Sequence, residues 1–248
     1  MMALTADDGS ICGCGIPPEV WSLIAARCED CQAQAQLRAT SRGLQIVLDT
    51  PGIWNITRAD LVHQFTLLSG RGLLEPIQWL TAIFAITPHE VRTSANRALH
   101  MACGNGHLAI AQWLARKFEL TVEDARANDN WILCHACENG HLQVAQWLAQ
   151  TFALTAEDVR AYGNWALRGS CANGHLAVAQ WLEQTFELTA EDARDSNKQA
   201  LRWACAHGHL AVAQWLVNTF GLTAKDARTD YNYALRHACA HGHLEETQ

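Results

Sequence analysis

Apolar residues return along this chain on two periods at once. Over a dozen residues they keep helical spacing. Ala98, Leu99, Ala102 and Cys103 share one face, and Leu108, Ile110, Ala111, Trp113 and Leu114 resume the pattern after a break at Gly106. Over a longer distance the whole arrangement recurs. Trp79, Trp113, Trp147, Trp181 and Trp215 stand 34 residues apart, as do Gly72, Gly106, Gly140, Gly174, Gly208 and Gly242. No insertion or deletion interrupts the register from about residue 62 to residue 248. A fixed period of this length predicts an all-α solenoid of helix pairs, each unable to bury its apolar face alone.

Within one unit, residues 96–129, two helices are expected on either side of Gly106, where the chain turns and a left-handed residue is needed. Asn96, Asn130, Asn164 and Asn232 precede the first helices and are expected to cap them. Thr121-Val122-Glu123-Asp124-Ala125-Arg126 returns at Thr155, Thr189 and Thr223. A threonine followed by acids predicts a short extra helical turn. The recurrent tryptophans are expected to stack as a spine, each costing about 3–5 kcal/mol on truncation to Ala.

The terminal units depart from the inner ones. The first has Leu73 for His, with Pro76 in the opening turn of its second helix. The last has Glu245-Glu246 where inner units carry Ala and Ile or Val. Charged residues at that position suit an end cap.

Composition narrows the classes of function. The formal charge is −7 and no block of Lys or Arg occurs, so neither nucleic acid nor an anionic membrane is an expected partner. The first residues lack the apolar stretch of a secretory signal, and no apolar run approaches a membrane span. Cys103, Cys137, Cys171, Cys205 and Cys239 recur at one slot of successive units. Packed helices would hold them about 10 Å apart, too far to bridge. They read as reduced core residues of a cytoplasmic or nuclear protein.

Upstream of the repeats the pattern changes. Residues 1–15 lack periodicity and are expected to be disordered. Pro17-Pro18 then opens a helix-like stretch with Val20, Leu23 and Ile24 on one face. A second helix-like stretch, residues 37–49, is broken by Pro51-Gly52. Ile16-Pro17-x-Glu19-Val20, Ile24, Leu37-Arg38-x-Thr40-Ser41-Arg42-x-Leu44 and Pro51-Gly52-Ile53-Trp54 resemble an F-box in order and spacing. Two departures remove apolar surface: Thr40 stands where the family has Val, and Ala33-Gln34-Ala35 where it has Asp-Leu-Leu. The resemblance implies an F-box-like module over residues 16–59. Ile16, Pro17, Val20, Ile24, Leu37 and Leu44 would contact a Skp-type adaptor of a cullin-RING ubiquitin ligase.

Residues 60–248 resemble ankyrin repeats, about five and a half of them. Arg97-Ala98-Leu99-His100-Met101-Ala102 followed by Gly106-His107 matches the family's Thr-Pro-Leu-His-x-Ala and Gly-His. Gly-His returns at His141, His175, His209 and His243, with each ring expected to bond nearby backbone. The departures are the period of 34 and the short Thr-led turn in place of the family's hairpin loop. The combination of an F-box with such repeats is similar to proteins of large DNA viruses, which would place this chain in a host cell.

No enzyme is expected. The prominent His and acid residues recur in every unit, whereas catalytic groups are singular, and neither a phosphate loop nor a nucleophile elbow is present. No cofactor is expected either. Cys12-x-Cys14 with Cys28-x-x-Cys31, and Cys134-x-x-Cys137 with His135 or His141, are the zinc candidates. Cys137 belongs to the repeated core slot, so the second set reads as packing.

Units that agree in their core slots differ at the entry to the first helix and along it. Those slots hold Trp131, His135, Tyr162, Trp165, Arg168, Arg202, Trp203, Tyr231, Tyr233 and Arg236. Such residue types suit protein recognition, so these ten are the expected target-binding set on a concave surface. The reading is a monomeric substrate-recognition adaptor, its F-box docking the ligase and its repeats holding an unidentified target. The alternative is a scaffold or decoy that binds a host or cellular protein without any ligase.

Overall fold

The computed structural model describes residues 58–93, 96–228, 236–237 and 239–240. Residues 1–15, expected to be disordered, Ile16, Pro17, Val20, Ile24, Leu37 and Leu44 of the F-box-like pattern, the zinc candidates Cys12, Cys14, Cys28 and Cys31, and Tyr231, Asn232 and Tyr233 lie outside the described residues. Among the described residues every regular element is a helix. They are α1 (Arg58–Gly70), α2 (Leu74–Phe84), α3 (Pro88–Thr93), α4 (Arg97–Gly104), α5 (Leu108–Lys117), α6 (Val122–Ala125), α7 (Ala127–Glu138), α8 (Leu142–Thr151), α9 (Ala156–Ala172), α10 (Leu176–Phe186), α11 (Ala190–Ala206), α12 (Leu210–Phe220) and α13 (Ala224–Ala227). None is long and apolar enough to cross a membrane.

Three pieces make each unit: a short helix, a first helix and a second helix. The first helices α1, α4, α7 and the later parts of α9 and α11 lie side by side. Helices α2, α5, α8, α10 and α12 each pack on the first helix of their own unit. The repeated apolar slots explain this layering. Leu99, Leu133, Leu167 and Leu201 are buried on the first helices, and Leu114, Leu148, Leu182 and Leu216 on the second. Small Ala111, Ala145, Ala179 and Ala213 let the layers approach closely.

The tryptophan spine is not what the structure contains. Trp113, Trp147, Trp181 and Trp215 are half-buried beside the core rather than within it. Each makes an edge-to-face contact inside its own unit, with Phe118, Phe152, Phe186 and Phe220 at 5.8, 5.8, 5.6 and 5.5 Å. An indole is too large for the close-packed layer, so the following Leu takes the buried position. The Trp seals the edge over a Phe five residues on.

The short helix after Thr121 is present and well fastened. Thr121 has extended backbone and donates its N–H to Asp124 at 2.9 Å, completing a capping box. Thr155 with Asp158 and Thr189 with Asp192 repeat the box. Thr223 N–H and hydroxyl donate to Asp226 at 2.8 and 3.0 Å.

The asparagines do not cap first helices. Asn96, Asn130 and Asn164 are buried with φ of 53°, 61° and 58°. The box has already started each unit, so the Asn falls at the corner between short and first helix. A left-handed residue is needed there, and Asn tolerates that conformation. Its amide reaches into the next unit instead. Asn96 Nδ2 donates to Asp124 Oδ1 at 3.0 Å, Asn130 Nδ2 to Asp158 Oδ1 at 3.2 Å and Asn164 Nδ2 to Asp195 Oδ2 at 3.0 Å.

Arginines join the same acids from the preceding unit. Arg92 Nε lies 3.0 Å from Asp124, Arg126 2.7 Å from Asp158, Arg160 2.7 Å from Asp192 and Arg194 3.3 Å from Asp226. Arg126 and Arg160 grip both carboxylate oxygens. One Asp per unit therefore caps its own short helix and receives its neighbour's guanidinium.

Glycine and histidine lock the other end of the first helix. Gly106 has φ 79°, and the His107 N–H donates to Ala102 O at 2.8 Å, closing a Schellman turn. The histidine ring bonds backbone as expected, but the backbone of the preceding unit: His107 Nε2 lies 3.1 Å from Gly70 O. Each ring rests on the earlier turn's glycine, where a Cβ at Gly106 would come within 2.7 Å of His141 Nδ1. Pro76 sits in the opening turn of α2 and is buried.

Cys103, Cys137 and Cys171 are buried free thiols in the core, as their slot implies. Cys205 is half-buried and packs against the core, whereas Cys239 is exposed, so the core reading does not extend to Cys239.

Candidate protein-binding face

The first-helix layer carries a continuous row of rings. Trp131 and Trp165 occupy the same slot of α7 and α9, with centroids 6.0 Å apart. Trp203, one turn later on α11, meets Trp165 edge-on at 6.1 Å. Tyr162 leans on Trp131 at 5.6 Å, and His135 on Trp131 at 4.8 Å. His100 completes the row, 4.7 Å from the His135 ring, with its Nε2 2.8 Å from His135 Nδ1. Trp131, Trp165, Trp203, His100 and His135 are half-buried, while Tyr162 is 57% exposed.

Polar groups fix this row from below. Trp165 Nε1 donates to Glu138 Oε2 at 3.2 Å, and Glu138 lies 3.8 Å from His135 Nε2. Gly169 makes room for that contact, because a Cβ there would come within 3.1 Å of Glu138 Cβ. Burial foremost, then His135 and Arg97, pull the His100 imidazole down to about 4. It is therefore neutral at pH 7.

The expected target-binding residues that are described divide into three sets. Trp131, His135, Tyr162, Trp165 and Trp203 form the row. Arg236 is exposed but belongs to none of these ring contacts. Arg168 and Arg202 are only 7% and 5% exposed, so they are not surface contacts. Arg168 donates Nη2 to Tyr162 O at 3.2 Å and lies 5.1 Å above the Trp165 ring. The residue type that suits a partner's surface equally suits bracing the rings that reach it.

Sequence reasoning passed over Glu138, Gly169 and the Arg–Asp junctions. Gly169 was legible as the small member of a slot that holds Met101, His135, Trp203 and His237 in the other units. The junctions were legible as an Asp three residues and an Arg five residues after each recurrent Thr, at Thr121, Thr155 and Thr189.

Burial pushes the Cys134 thiol up to about 12 and raises Cys137 as well, so both stay protonated. Among the described residues no three His, Cys, Asp or Glu side chains converge as a metal site would require.

The family profile described as "Ankyrin repeats (3 copies)" matches residues 69–161 and again 99–192. Together the two matches span half of the chain. The protein belongs to the ankyrin-repeat family. No curated protein matches the sequence. Within the family this chain is distinguished by its 34-residue period and by the capped helix that replaces a projecting hairpin. Ankyrin repeats are protein-binding scaffolds, and the role of these repeats is to bind a protein partner.

Proposed function

We propose that the protein is a substrate-recognition adaptor of an SCF-type ubiquitin ligase. Its F-box-like segment docks a Skp-type adaptor through Ile16, Pro17, Val20, Ile24, Leu37 and Leu44. Its repeats hold the target against Trp131, Tyr162, Trp165 and Trp203. The chain catalyses nothing itself and contributes proximity, bringing the target's lysines within reach of the ligase. The work is done in the cytoplasm or nucleus, of a host cell if the chain is viral.

The observation that carries the binding half is the unbroken row of rings. Its members lie 5.6, 6.0 and 6.1 Å apart, too close to admit a cationic side chain between them. Arg168 already covers the face of Trp165. The row therefore suits an apolar surface of a target protein rather than a charged tail. The ligase half rests on the ordered matches from Ile16 to Trp54.

The test is retention of a purified Skp-type adaptor by the full chain at micromolar concentration. The wild type should retain it and Val20→Asp should not, while both capture the same target. If the wild type fails, the ligase reading is lost and the scaffold or decoy reading takes its place. Thr40 and Ala33 to Ala35, which thin the apolar contact, favour that second reading.

A further inference from the structure

The corner that leads into Trp165 runs through three left-handed residues in succession. Ala161 is extended at φ −53°, ψ 151°, and then Tyr162, Gly163 and Asn164 are all left-handed, at φ 58°, 64° and 58°. Three successive residues in that region make a turn of the wrong hand for L-amino acids. An aromatic residue there is the least comfortable of the three. Strain of this kind persists only where the surroundings overdetermine it.

The surroundings do so through named contacts. Arg168, one turn into the first helix, donates Nη2 to Tyr162 O at 3.2 Å. The same guanidinium lies 5.1 Å from the Trp165 ring centroid. Asn164 Nδ2 donates to Asp195 Oδ2 at 3.0 Å, which ties the corner to the next unit. Burial lowers the Arg168 pKa, and the negative charge of Asp195 offsets part of that cost to the cation. The slot that holds Arg168 holds His100 and Cys134 in the two preceding units. Neither has a side chain that could span a backbone carbonyl and an indole at once.

Taking the row of rings as the target-binding face, we infer that Arg168 is its positioning residue. It holds Tyr162 outward from a left-handed corner and fixes Trp165 beneath, which makes residues 161–169 the segment that discriminates between targets. Tyr162 is thereby presented as a rigid, exposed anchor on a backbone that would otherwise relax. Arg168 itself touches the target little, because it is buried.

The test follows hydrogen exchange in the full chain by mass spectrometry, comparing Arg168→Met and Arg168→Lys with wild type. Arg168→Met should speed exchange across residues 159–166 about tenfold, with α8 and α12 unchanged. Arg168→Lys, which keeps a cation and a donor, should recover most of the protection. Unchanged exchange at the corner in the Met variant overturns the inference. Faster exchange through every unit overturns it too, since Arg168 would then be an ordinary core residue. Tyr162→Gly gives an independent reading should Arg168→Met fail to fold. Glycine relieves the left-handed strain, so its melting temperature should rise, and a fall rejects the strained corner. None of these readouts needs a target, so their failure leaves the target-binding reading standing. Conversely, a Trp165→Ala variant that still captures its target would remove that reading without touching the corner.

Discussion

Arg126 of one repeat and Asp158 of the next meet at 2.7 Å, the guanidinium gripping both carboxylate oxygens. The same carboxylate accepts the Thr155 N–H at 2.8 Å and its hydroxyl at 3.0 Å, and Asn130 Nδ2 at 3.2 Å. A single side chain thus starts one helix and ties two units. Asp158→Ala removes the cap and strands the arginine, and should cost about 2–3 kcal/mol. Thr155→Ala, which leaves the arginine its partner, should cost about 1 kcal/mol. Urea unfolding of the two variants measures the difference, and equal losses would show that the junction contributes nothing beyond the cap.

The same carboxylate sets an acid limit. Burial alone would raise its pKa, but the Arg126 hydrogen bond, the Thr155 N–H and hydroxyl and the guanidinium's charge outweigh burial and bring Asp158 to about 2. Asp124 and Asp192 are lowered for the same reasons. A carboxylate lowered in the native state stabilises fully above its unfolded pKa near 4 and loses that contribution as pH falls towards 2. The melting temperature should therefore drop across that window. In Asp158→Asn the drop should be shallower, and an identical slope would contradict the assignment.

A second titration lies nearer neutrality. His100 is buried and falls to about 4, so the folded protein resists a proton that the unfolded chain accepts at its ordinary value of about 6.5. The stability that His100 contributes should decline between about pH 6.5 and 4, and that contribution should level off below this range. His100→Gln should flatten this segment of a melting-temperature profile while leaving the acid limit near pH 2–4 in place.

Gly140 carries two separate demands. Its φ is 78°, and a Cβ would lie 2.5 Å from His175 Nδ1 of the following unit. Gly140→Ala should cost about 2 kcal/mol for the backbone alone, and more once the imidazole is displaced. A thermal melt decides this, and a loss below about 1 kcal/mol would mean that the ring gives way freely.

Trp181 and Trp165 should separate stability from binding. Trp181 seals the edge of α10 over Phe186 at 5.6 Å and is only half-buried. Its truncation to Ala should cost about 2–3 kcal/mol, below the range for a fully enclosed indole, and leave target capture intact. Trp165→Ala should do the reverse, with capture lost and the melt less affected.

The stacking was legible from the chain because a slot that repeats five times averages out local noise. Leu99, Leu133, Leu167 and Leu201 sit where the period puts them. The capped short helix was legible because Thr followed by acids has one physical meaning. The asparagines misled because Asn serves both as a helix cap and as a left-handed corner residue. Only the position of the box before it decides between the two roles. The tryptophans misled because periodicity shows that a residue is packed, not how deeply. The Arg–Asp junctions join residues 32 apart on different units, and a pattern read unit by unit separates exactly those partners. The ring row was half visible, as variable aromatic slots. That Arg168 braces it from inside required knowing which side of the helix faces Tyr162.

Because Asp158 both begins a repeat and receives the grip of the one before it, neither event can be undone alone. Pulled from its ends, the array should not stretch smoothly. It should give way in discrete rips, each releasing one 34-residue segment, or about 120 Å of contour at roughly 3.5 Å per residue. Such a protein yields to traction as a ratchet does, holding firm until one tooth slips.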